Sequence, residues 1–199
     1  MKLLLFLVLS FLCIIEEASA GYEERYDLRK LPPDLKPIME LIGLWQLETK
    51  SGPTRVYGPP DLIDIAVHPI PKFGARAANI THTYFDSEKN IIRSDYGFMP
   101  VKNATKRDPR VHIAYLTTSS EGYSMMEQGT VVGRKITFHL KQFLRRTFSV
   151  RSNNGIELDI REFERRLEIL DFNHMTMKVR AETAGGTESF SATYRKIMP

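Results

Sequence analysis

From Gly43 almost to the end of the chain, apolar and polar residues alternate. Ile136, Phe138 and Leu140 oppose Thr137, His139 and Lys141, and Met175, Met177, Val179 and Ala181 oppose Thr176, Lys178 and Arg180. A period of two puts each set on its own face of a β-strand. Turn residues separate such runs at short intervals, among them Ser51-Gly52-Pro53, Asp86-Ser87-Glu88, Asn153-Asn154-Gly155 and Gly185-Gly186. Short strands joined by tight turns predict an antiparallel meander, and closing it removes its exposed edges. The expected fold is therefore all-β, an antiparallel up-and-down β-barrel. Ile160 to Leu170 has an Arg and Glu content that suits either state, and its neighbours assign it to the strands. Ahead of the alternation, Pro32-Pro33-Asp34 opens a segment with Leu35, Ile38, Met39 and Ile42 at helical spacing, which predicts one or two turns of N-terminal helix.

The first residues follow another pattern. Lys2, an apolar run from Leu3 to Ile15 and the small residues Ala18-Ser19-Ala20 have the order of a secretory signal, with cleavage expected after Ala20. The run is well short of the ~20 residues that a membrane-crossing helix needs. The domain reading is a signal peptide over 1–20, a mobile lead over 21–31 and one barrel domain over 32–199. The expected location is outside the cell, with no membrane association after cleavage.

Export changes how the chemistry is read. Cys13, the only cysteine, lies in the signal, so the exported chain forms no disulfide and offers no thiolate to a metal or a substrate. The formal net charge of +4 is small, and the basic residues come in short groups broken by acids rather than in an aromatic-rich patch, so nucleic acid is not an expected partner. Asn79-Ile80-Thr81 and Asn103-Ala104-Thr105 are N-glycosylation sequons, and Asn103, between Pro100 and Pro109, has the more loop-like setting.

Candidate ligating residues are sparse. His68, His82, His112, His139 and His174 are scattered singly, without the spacing of a zinc site. His139 and His112, on the more polar faces of their strands, are the two that a polar lumen would admit. Met125-Met126 and Met175/Met177 suit a pliable core. Glu157, Asp159, Glu162, Glu164 and Glu168, interleaved with Arg161, Arg165 and Arg166, read as a solvated strand face. There is no nucleophile elbow, phosphate loop or dinucleotide fingerprint.

Gly43-Leu44-Trp45 opens the first strand. Glycine permits a tight turn there, and the sole tryptophan can close that barrel end while its indole N–H finds a carbonyl. With Pro32-Pro33-Asp34-Leu35-Lys36-Pro37 before it, Arg93-Ser94-Asp95-Tyr96-Gly97-Phe98, Met126-Glu127-Gln128-Gly129, the Leu170-Asp171 hairpin and the ending Ala192-Thr193-Tyr194-Arg195-Lys196, the chain resembles the nitrobindin-like haem-binding β-barrel family, in particular its secreted nematode members. The resemblance implies a barrel of roughly ten strands with an opening that seats haem. It also implies an axial histidine on the last strand, a position that counting back from Tyr194-Arg195-Lys196 places near Ser189. Serine is a poor iron ligand. A second departure is Val56-Tyr57-Gly58-Pro59-Pro60, where the family commonly has Tyr-Pro-Thr or Phe-Pro-Thr beside the haem.

The leading expectation is an exported binding module for haem or another apolar small molecule, with Trp45, Ser189, His139 and His112 as pocket or barrel-end positions. A lipocalin-like carrier and a barrel that has lost its pocket and serves as an interaction protein are the alternatives. Peroxynitrite isomerisation, which the resemblance attaches to ferric haem, enters only if haem is bound.

Overall fold

The computed structural model describes residues 24–54, 57–67, 77–145 and 160–198. Ten strands make a closed antiparallel barrel: β1 (Gly43–Ser51), β2 (Leu62–Val67), β3 (Ala77–Phe85), β4 (Ile91–Lys102), β5 (Val111–Ser119), β6 (Tyr123–Val132), β7 (Lys135–Arg145), β8 (Ile160–Ile169), β9 (His174–Thr183) and β10 (Gly186–Met198). Each pairs with its sequence neighbours, and β1 with β10 completes the ring. A lipocalin closes with eight strands.

The alternation in sequence becomes an inside and an outside. Ile136 and Phe138 on β7 and Met175, Met177, Val179 and Ala181 on β9 are buried in the core, while Lys178 and Arg180 are exposed. The segment from Ile160 is strand, because Ile160, Phe163, Leu167 and Ile169 all reach the core from an extended backbone.

The helix is shorter in pitch than its spacing suggests. Pro33–Leu41 is a 3₁₀ helix with Pro37 inside it, which has no N–H to give to an α-helical ladder. At three residues per turn Leu35, Ile38 and Leu41 share the buried face, and Met39, expected there from α-helical spacing, is 44% exposed.

This helix floors the barrel. Trp45 is fully buried against it and its Nε1–H donates to the Leu41 carbonyl at 2.8 Å. Lys196 covers the indole, with Nζ 4.7 Å from the ring centroid, and donates to the carbonyls of Glu40 (3.1 Å) and Ile42 (2.9 Å) at the helix end. Gly43 makes the turn into β1 at φ +144°, where a Cβ would stand 2.7 Å from the Met198 carbonyl oxygen.

The segment expected as a mobile lead is tied down from Glu24 onward. Tyr26 is buried with its hydroxyl on Asp64 at 3.0 Å, Arg25 pairs with the same carboxylate at 2.7 Å, and the Arg25 carbonyl accepts from the Val67 N–H.

Candidate functional site

The lumen is polar in its middle and at the end away from the helix. Arg93 and Asp95 alternate with outward residues on β4, and the guanidinium forks onto the carboxylate, Nε 2.9 Å from Oδ1 and Nη2 2.8 Å from Oδ2. Arg93 also donates to the Tyr123 hydroxyl and lies 4.3 Å over the Tyr84 ring, whose own hydroxyl donates to Asp95 at 3.0 Å. His82, on β3, is buried beside this pair. Its Nε2 is 2.6 Å from the Tyr115 hydroxyl and its Nδ1 is 3.5 Å from Asp95. The tautomer protonated on Nδ1 satisfies both contacts: Nδ1–H faces the carboxylate and Tyr115 donates to Nε2.

A second ion pair crosses the lumen. Arg165 on β8 forks onto Glu127 on β6 at 3.1 and 3.0 Å, with both side chains buried. The guanidinium also lies 4.5 Å over the Tyr115 ring.

Burial works against every charge here; it prevails at His82 and Glu127, and the partners prevail at Asp95. For Asp95 it opposes ionisation, but the hydrogen bonds from His82 and Arg93 and the Arg93 charge more than offset it and hold the carboxyl well below the usual range. His82 is pushed down by burial, against the pull of Asp95, and stays neutral. The phenols of Tyr57, Tyr84, Tyr115 and Tyr123 are all pushed up by burial and are donors rather than phenolates.

Between β1 and β2, Tyr57 to Pro60 turn into this end of the lumen. The Tyr57 N–H donates to Glu188 at 3.2 Å, and the Pro60 carbonyl accepts from Tyr194 at 3.0 Å. The Tyr57 ring packs edge-on against Tyr123 and Phe163, while its buried hydroxyl has no hydrogen-bond partner among the described residues. Beside it is a cavity of about 20 Å³, lined by Tyr57, Arg93, Asp95, Tyr123, Phe163 and Arg165 among others. That is room for about one water molecule.

The residues singled out from sequence are not brought together. Trp45 closes the opposite end. Ser189 is exposed on the outer face of β10, between the buried Glu188 and Phe190, so the inward position at this level is Glu188. His139 is exposed and 3.7 Å from Glu164; His112 is half-buried with Nε2 2.6 Å from Asp108. Both lie on outward faces of their strands, and His68 is outside the described residues. The Nδ2 of Asn103 donates to Asp34, and Asn79 sits on β3 with its Oδ1 buried.

The imidazole inside the described barrel is His82, and sequence reasoning passed over it. The signal was present: Ala78, Ile80 and His82 share one face of β3. Arg165 was likewise assigned to a solvated face, yet Phe163-x-Arg165-x-Leu167 places it inward.

Among the described residues, none offers haem an axial histidine in this lumen. Both His82 nitrogens are engaged, and the inward residues of β10 are Glu188, Phe190, Ala192 and Tyr194.

Comparison with known proteins gives a consistent result. The family model for the THAP4-like, heme-binding beta-barrel domain matches residues 34–196. An uncharacterized protein of Caenorhabditis elegans, C28H8.5, is 26% identical over 197 residues, which is 89% of this chain; the chain spans 61% of that relative's length. The crystal structure of Rv2717c from M. tuberculosis superposes with a TM-score of 0.59 at 15% identity, covering 84% of this chain and 99% of the other, a likeness of fold.

Proposed function

This chain belongs to the THAP4-like, heme-binding β-barrel domain family, and from that membership we propose that it is an exported small-molecule-binding barrel whose ligand is held by polar groups at the mouth, not by a histidine on iron. The ligand class is a flat or compact apolar molecule carrying an acceptor oxygen. Its oxygen takes the place beside the Tyr57 hydroxyl, and its apolar body rests against Phe163, Val179 and Phe190.

One observation carries this reading: the Tyr57 hydroxyl is buried, protonated and without a hydrogen-bond partner among the described residues, and Tyr57 lines the cavity together with Arg93. An orphaned buried donor costs roughly 1–3 kcal/mol, and an acceptor atom placed there recovers it. Export is proposed on the order of Lys2, the apolar run and Ala18-Ser19-Ala20, with the mature chain beginning at Gly21.

The test is porphyrin binding followed by quenching of porphyrin fluorescence. Tyr57→Phe removes only the hydroxyl and should weaken iron-free protoporphyrin about 3- to 10-fold, as expected for one hydrogen bond. Unchanged affinity would remove Tyr57 from the site.

A second reading is favoured by the small cavity: the barrel has lost its pocket and acts through its outer surface. Absence of any porphyrin binding supports that alternative.

A further inference from the structure

The outer wall of the barrel is divided by charge. On β8 and β9 the outward positions include Glu164, Arg166, Glu168, Lys178, Arg180 and Glu182. On four adjacent strands opposite, from Asn79 to Thr83, Ile92 to Pro100, His112 to Thr118 and Ser124 to Val132, no outward position carries Asp, Glu, Lys or Arg. A solvated strand face ordinarily alternates with charge, so this absence needs a reason.

The uncharged wall also has relief. Tyr96 and Phe98, 51% and 37% exposed, stand edge to face with centroids 5.8 Å apart and form a ridge. Leu144, 61% exposed, rises on the other side. Between them runs a groove of about 340 Å³ with Leu116 and Met126 among its lining residues.

We infer that this wall is the contact surface between two copies of the chain, related by a twofold axis that lays the Tyr96–Phe98 ridge of each copy into the groove of the other. Relief and area select a second copy as the occupant, and the uncharged wall permits it. The chain carries a formal net charge of +4, so two copies repel in general, and only a wall without charge lets them meet without burying like charges against each other. A ridge next to a groove on one face is also what a self-complementary contact requires. The area is of the right order. At about 33 Å² of sheet plane per outward residue, the four strands span roughly 500–600 Å² in plan, and side chains in relief bring this toward the ~800 Å² per partner of a standard interface.

Asn79 borders the ridge, in register with Phe98. A glycan there would occupy the same surface, so the two occupants exclude each other.

Sedimentation equilibrium on bacterially produced protein, which carries no N-glycan, tests the assignment. A dimer is expected at micromolar concentration. Phe98→Glu and Leu116→Arg, each burying an unpaired charge in the apolar contact, should weaken it roughly 30-fold or more. Thr176→Glu on the charged wall should leave it intact, and circular dichroism should show all three variants folded. A monomer up to about 100 μM, a dimer indifferent to both wall substitutions, or a sugar on Asn79 of protein recovered from its own secretory pathway would each overturn the inference.

Discussion

At the scale of single residues, the interior is held by charges that a stability argument alone would not place there. Replacing a buried ion pair with packed apolar residues is often neutral or stabilising, whereas breaking it by removing one partner costs about 3–5 kcal/mol. Arg165→Ala should therefore destabilise the barrel by about that amount, with the Glu127 carboxylate left buried and unpaired. The double change Arg165→Met with Glu127→Leu should recover most of the loss. Urea denaturation of the three proteins checks both statements. His82 supplies a pH dependence of definite sign. Its folded pKa lies below the ordinary ~6.5, so below that pH the unfolded chain takes up protons that the folded chain refuses. Stability is complete above about pH 6.5 and declines on acidification. Asp95, held low in the fold, adds a further loss below about pH 4. The groups facing His82 are Tyr84, Asp95, Tyr115 and, through their charge, Arg93 and Arg165. Thermal melts across pH 4–8 should show the upper stage in the wild type and its absence in His82→Gln.

At the scale of elements, the period of two was legible wherever both faces of a strand had distinct chemistry. It led directly to the burial of Ile136, Phe138, Met175 and Met177. It was harder to use where a charged residue stands on the apolar face. Arg165 and Glu127 look like surface residues because isolated charges usually are, and only their mutual pairing across the lumen, between strands 38 residues apart in sequence, makes their burial tolerable. Pairing over that distance is not written into either strand. Ser189 shows a related difficulty, since a count along a strand that slips by one residue exchanges inside for outside. The helix shows that a proline can change the period itself, moving the buried set from Met39 to Leu41. Trp45 was readable because its neighbours Gly43 and Leu44 set the turn, and its indole is sealed by the helix and Lys196. Its fluorescence should resist iodide, with a quenching constant near zero, until the barrel unfolds; ready quenching in native protein would contradict the closed floor.

At the scale of the whole molecule, family membership and the barrel agree. At the level of β10 where the resemblance implied an imidazole, Glu188 faces inward and holds the Tyr57 backbone. A histidine introduced at Ser189 would stand outside the barrel and should leave porphyrin binding unchanged. The most direct measurement compares ferric haem with iron-free protoporphyrin on the same purified protein. With no imidazole open to the metal among the described residues, the two affinities should agree within about threefold, corresponding to well under 1.4 kcal/mol, and the haem complex should lack the Soret band of an imidazole-ligated iron. Haem binding more than about a hundredfold tighter than protoporphyrin, with an imidazole-type spectrum, would contradict the proposed mode of binding.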